Sequence, residues 1–141
     1  MNKSKLIALN FLKQVEGIKL KAYLDTGGVK TIGYGHTGEE LPDEITLEQA
    51  ATYLEDDLEK VFMRILPMIK VQLNDNQLAA VLSFAFNVGC NAFRDSTLLK
   101  KINKSDFIGA VAEFERWVYD NGRYVEGLKN RRHKEMDLFR A

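Results

Sequence analysis

Apolar residues recur at helical spacing from the start of the chain. Leu6, Ile7, Phe11, Leu12 and Val15 predict an amphipathic helix from about Ser4 to Glu16, capped by Ser4 and stopped by Gly17. The period then changes. "IKLKAYLD" alternates apolar and polar residues, "TGG" is a turn, and "VKTIGYG" resumes β-type residues. Residues 18–35 therefore predict a hairpin or small antiparallel sheet. Gly27, Gly28, Gly33 and Gly35 fall in this short span and call for tight turns and close backbone approach.

Beyond this the pattern predicts only helices. "TLEQ" at 46–49 is a capping box, with Thr46 as cap and Gln49 reaching back. Its helix runs to about Leu66, where Pro67 ends it, a length on the order of 30 Å. "NDNQLAAVLSFAFNVG" is apolar all round, opens on Asn74 or Asp75 and closes on Gly89, which marks a central core helix. "STLLKKIN" follows, capped by Ser96, then "SDFIGAVAEFERWV" from Ser105 or Asp106. "DNGRY" is a turn before a last helix, "EGLKNRRHKEMDLF". The expected architecture is one domain over 1–141. It has a small β-containing lobe near 17–45, a connecting helix near 46–66, and a helical lobe near 67–141 on which the helix 4–16 packs. Two lobes joined in this way leave a cleft.

Composition narrows the classes. The chain has 141 residues, 45% hydrophobic and 28% charged, enough for a real core without disulfide staples. The formal net charge is zero, so no basic footprint argues for nucleic acid. The single cysteine, Cys90, excludes an internal disulfide and reads as a bystander thiol. The N-terminal apolar run is broken by Asn10 and Lys13, and neither a signal peptide nor stable membrane association is expected. The two histidines have no clustered partners, which gives no sign of a metal site.

The acids of the β-type segment carry the candidate chemistry. Glu16 closes a helix among Val15, Gly17 and Ile18. Apolar neighbours and the negative end of the helix dipole are expected to keep it protonated, as a general acid requires. Asp25 adjoins a Thr-Gly-Gly turn rich in backbone N–H donors and is expected to stay ionised. Such a divided pair suits hydrolysis of a glycosidic bond. Thr31 offers a hydroxyl that can hold a water. On the residues alone, a turn acid and a helix-end charge explain the same letters.

A resemblance separates these readings. Glu16, eight residues, Asp25, five residues, Thr31 and then "IGYGH" resembles the signature of the phage-type lysozymes, glycoside hydrolase family 24. "FNVGCNAFRDSTLLKKIN" and "WVYDNGRYVEGLKNRRHKEMDLF" resemble that family's helical-lobe segments, so the likeness covers nearly the whole chain. It implies a two-lobed, lysozyme-like α+β fold and hydrolysis of the β-1,4 bond between N-acetylmuramic acid and N-acetylglucosamine in peptidoglycan. It gives Glu16 the role of general acid, Asp25 that of second carboxylate and Thr31 that of water-positioning residue. It implies no cofactor and no metal. The partner is the peptidoglycan glycan strand. The protein is expected as a monomer, made in the bacterial cytoplasm and released to the periplasm by a separate holin.

Other residues follow less directly. Phe93, Ser96 and Thr97 lie in a loop-to-helix stretch expected to face the sugar, together with Gly35. Tyr34 either lines the cleft or fills the small lobe. His36 is expected to hold the lobe by a hydrogen bond. Arg131 and Arg132 are expected as a solvated face, the alternative being that one reaches Glu16. Many phage lysozymes are basic, whereas this chain is neutral, and its positive excess lies from Lys129 onward. A prophage-derived toxin with the same activity, or a binder that does not cut, are the competing roles. The intact Glu16, Asp25 and Thr31 argue against the second.

Overall fold

The first helix, α1 (Lys3–Val15), leads directly into a small sheet. The computed structural model describes residues 2–141. Asn2, not Ser4, caps α1: its side chain accepts from the Lys5 amide at 2.9 Å, and the Ser4 hydroxyl donates to it at 2.8 Å. Glu16 stands one residue past the helix with extended φ/ψ, so the chain leaves the helical axis at the acid itself.

Three antiparallel strands follow in the order β1 (Lys19–Leu24), β2 (Lys30–Gly33), β3 (His36–Thr37). A register shift lies between Lys19 and Tyr23, and Tyr23 stands opposite Thr31. The free edge of β1 is covered by residues 43–45, through Ala22 N–H to Asp43 O and Ile45 N–H to Leu20 O. Ile32 points into the core with no exposed surface, which turns the neighbouring Thr31 to the other face of the sheet.

The capping box of Thr46 and Gln49 opens α2 (Leu47–Ile65), as its sequence predicts. Pro67 sits in the single 3-10 turn that ends it (Leu66–Met68). Ala50, Leu54, Leu58, Phe62 and Ile65 form its buried stripe. A second capping box, Asn74 with Gln77, opens α3 (Asp75–Val88), which packs against α1, α2 and the last helix and forms the centre of the helical lobe. Gly89 ends it at φ 98°, in the left-handed region that glycine tolerates.

Two expectations for the helical lobe fail. A one-turn helix, α4 (Cys90–Arg94), follows Gly89 where an irregular stretch was expected, ahead of α5 (Thr97–Asn103). The lobe is also not helical throughout. α6 (Phe107–Phe114) stops short of Val118, and a hairpin follows, β4 (Tyr119–Asp120) and β5 (Arg123–Tyr124). Asn121 and Gly122 at its tip both have positive φ, which is the turn that matches strand twist. The last helix, α7 (Glu126–Arg140), then packs on α3. The result is an α+β molecule with a small sheet-bearing lobe and a larger helical lobe, joined by α2.

Candidate active site

Glu16 sits where α1 gives way to the sheet, with its side chain about one-fifth exposed. It does not have the apolar surroundings that its sequence neighbours suggest. The Arg131 guanidinium, delivered by α7, places Nη1 2.5 Å from Glu16 Oε1. Arg131 also donates from Nη2 to the Ser83 carbonyl at 3.1 Å, and its Nε lies 3.4 Å from Glu135 Oε2. The expected solvated face of Arg131 and Arg132 is thus wrong: Arg131 is 7% exposed and Arg132 not at all. α7 turns both residues toward α3, where carboxylates and carbonyls receive them.

Arg132 and Glu135 form the deeper part of this cluster. Arg132 donates to Asn87 Oδ1 and stacks its guanidinium 5.1 Å from the centre of the Phe84 ring. Its Nε lies 3.0 Å from Glu135 Oε1, but off the hydrogen-bonding direction, so that contact is charge against charge. Burial pushes the Arg132 guanidinium down and the Glu135 carboxyl up from their ordinary values, against the attraction between them. Glu135 Oε2 takes a 2.6 Å hydrogen bond from the Ser83 hydroxyl, and a neutral Glu135 would leave two guanidiniums side by side.

Asp25 is exposed in the β1–β2 turn. Its Oδ1 accepts from the Gly27 and Val29 amides at 2.8 and 2.9 Å, which fixes the carboxylate and leaves Oδ2 free of a protein hydrogen bond among the described residues. Thr31 is 3% exposed and gives its hydroxyl proton to the Val29 carbonyl at 2.9 Å. Its oxygen is left as an acceptor. One turn thus orients both groups: Val29 donates to Asp25 and accepts from Thr31.

The remaining sequence candidates divide. Gly35 is exposed at φ 82°, while Tyr34 is buried and fills the small lobe. Phe93 and Ser96 are not at a surface that a sugar could touch. Phe93 has no exposed area and packs edge-on against Phe84, and the Ser96 hydroxyl bonds to Phe93 O and the Leu99 amide as the cap of α5. Both serve the core because α4 turns that stretch inward. Thr97 is exposed. His36 donates from Nδ1 to Asp57 on α2 at 2.8 Å and stacks on Tyr53 at 4.3 Å, tying the sheet to the long helix. Sequence reasoning missed Tyr23, opposite Thr31 with Lys19 Nζ 4.3 Å over its ring, and missed Ser83 and Glu135. The signal for the last two was legible as Arg131-Arg132-x-x-Glu135 on one predicted helix and a lone hydroxyl in an apolar one.

Enclosed space lies elsewhere. A groove of about 680 Å³ among Phe107, Ile108, Val111 and Phe139, and a hollow of about 490 Å³ by Trp117 and Tyr119, are lined by none of Glu16, Asp25 or Thr31. Asp25 is exposed, whereas the Glu16 side chain is only about one-fifth exposed. No group of His, Cys, Asp and Glu among the described residues is arranged to hold a metal ion.

A small sheet carrying a fixed carboxylate and a buried threonine, joined to a helical lobe that braces a second carboxylate, defines a lysozyme-like class of protein. The chain matches the description "Phage lysozyme" over residues 13–135, and it belongs to that family. It is thus a lysozyme-type glycosidase of cell lysis. It is 44% identical over 138 residues to the endolysin of Acyrthosiphon pisum secondary endosymbiont phage 1, covering 94% of each chain. It is 41% identical over 137 residues to the endolysin of Bacillus phage PZA, covering 94% of this chain but only 53% of that protein. A crystal structure of a P22 lysozyme point variant superposes with a TM-score of 0.85 at 36% identity, over 95% of each chain.

Proposed function

We propose that the protein is an endolysin muramidase. Residues 1–141 act as one lysozyme-like unit on the β-1,4 bond between N-acetylmuramic acid and N-acetylglucosamine, and the role is lysis of the host cell. The observation that carries this reading is the Glu16 carboxyl, partly exposed and fixed by Arg131 at the junction of helix and sheet. Glu16 acts in its protonated form: it takes up a proton from solvent and gives it to the departing glycosidic oxygen, ending the step as the carboxylate. Asp25, with Oδ1 held by two amides, draws a proton from water through Oδ2, and the Thr31 oxygen accepts a hydrogen bond from that water. A threonine cannot itself be the base, so the water attacks in one step and the anomeric centre inverts. No helix among the described residues is long and apolar enough to cross a membrane. The proposed route to the wall is through a separate membrane lesion of the holin kind.

The test is lysis of permeabilised Gram-negative cells, followed by NMR of the new reducing end before mutarotation. The expected result is loss of turbidity with an initial α-anomer, and collapse of activity in a folded Glu16→Gln variant by roughly 10²–10⁴-fold. An initial β-anomer would overturn the roles of Asp25 and Thr31. A folded Glu16→Gln variant close to full activity would overturn that of Glu16.

A further inference from the structure

Glu135 has no exposed surface and no part in the chemistry above. Its two oxygens meet the Ser83 hydroxyl at 2.6 Å, Arg131 Nε at 3.4 Å and Arg132 Nε at 3.0 Å. A site that needed only packing is served as well or better by an apolar side chain, because a buried carboxylate gives up its hydration. A charge kept there has something to hold.

What it holds is Arg131. That guanidinium is gripped along one edge by Glu135 and by Ser83, whose carbonyl lies 3.1 Å from Nη2. The guanidinium is planar and rigid, so fixing Nε and Nη2 fixes the direction of Nη1. Nη1 is the atom that meets Glu16. Ser83 belongs to α3, Arg131 and Glu135 to α7, and Glu16 to the end of α1, so the cluster ties three helices to the position of one carboxyl. The i, i+4 spacing of Arg131 and Glu135 sets this pair on one helix face.

We infer that Glu135, braced by the Ser83 hydroxyl, is a positioning residue: it aims the Arg131 guanidinium, which holds the Glu16 carboxyl in register with the bond to be cut. This rests on the reading of Glu16 as the general acid. A carboxyl out of place transfers its proton less often without weakening the binding of glycan elsewhere, so the loss falls on kcat and not on KM.

The experiment compares steady-state kinetics on soluble peptidoglycan fragments for wild type, Glu135→Gln, Arg131→Lys and the double variant, each shown to be folded by near-ultraviolet circular dichroism. Glu135→Gln is expected to lower kcat on the order of tenfold with KM changed less than about twofold. In Arg131→Lys the single ammonium cannot span both carboxylates, and adding Glu135→Gln there is expected to cost less than about twofold more. Should Glu135→Gln alone not fold, the pair Glu135→Gln with Arg132→Gln replaces the two fully buried charges by amides of similar size and is expected to show the same kcat loss. Unchanged kcat in a folded variant overturns the inference. So does a loss confined to KM, or an equal loss in the Arg131→Lys background. Glu16→Gln assayed alongside keeps the two proposals apart. If it retains activity the general-acid reading fails, whereas an inactive Glu16→Gln beside an unaffected Glu135→Gln sinks only the positioning role.

Discussion

Arg131 on the last helix lies 2.5 Å from Glu16 at the end of the first, across 115 positions of sequence. The contact closes the molecule around its proposed acid. Replacing Arg131 by Met removes the partner of Glu16 and leaves Glu135 with Arg132 alone, and breaking a buried ion-pair cluster by removing one member is strongly destabilising. Arg131→Met is expected to lose about 3–5 kcal/mol of stability in urea denaturation at neutral pH, with Arg131→Lys intermediate. A loss below about 1 kcal/mol would show that water replaces the guanidinium at little cost.

The same contact reverses an expectation for Glu16. An acid in apolar surroundings would gain stability on conversion to Gln. An acid on a guanidinium loses a charge-assisted bond, discounted here because the side chain is partly exposed. Glu16→Gln is therefore expected to be less stable at neutral pH, by about 1 kcal/mol, on comparison of thermal midpoints. A midpoint equal to or above that of the parent would count against the ion pair.

Thr31 donates to Val29 O and keeps only acceptor capacity for water. Thr31→Val preserves shape and removes the oxygen, and initial lysis rates are expected to fall about 10²-fold, with Thr31→Ser retaining part of the rate. Equal rates for the Val and Ser variants would remove the hydroxyl from the mechanism.

His36 and Asp57 join the sheet to α2 through a half-buried 2.8 Å bond. Asp57→Leu is expected to destabilise the fold by about 1–2 kcal/mol, read from urea midpoints, while kcat below the transition is unchanged. A fall in kcat without a fall in stability would mean that His36 acts in the chemistry.

Asp106 caps α6. The Gly109 amide, 2.9 Å from its Oδ1, holds the carboxyl below the ordinary carboxylate range, with Lys101 adding to the effect. A depressed folded-state pKa contributes stability above the unfolded value, and that contribution is lost as pH falls through the folded one. Asp106→Ala is expected to lower the denaturation midpoint at neutral pH. The gap to wild type should narrow on acidification below the carboxylate range. A gap that stays constant with pH would place its origin outside the carboxylate charge.

Local rules carried most of the architecture. The helical period of Leu54, Leu58 and Phe62, the capping boxes at Thr46 and Asn74, and the Gly89 stop are interactions among residues at most four apart, so their letters alone specify them. The Asp25 turn belongs with these, since both its donors, Gly27 and Val29, lie within four positions. Of the β4–β5 hairpin only the turn at Asn121-Gly122 was legible, because strands of two residues are too short to show a period.

Burial was decided only by tertiary structure. Phe93 and Ser96 read as surface residues until α4 turned them onto Phe84. Arg131 and Arg132 read as a solvated face, because charged side chains are almost never fully buried unless paired. Their partners, Glu16 and Ser83, lie on helices distant in sequence. Nothing local to α7 says that α3 and the end of α1 will be there to receive them. The acids at positions 16 and 25 were therefore visible in the sequence, but the cation that holds the first became visible only in the fold.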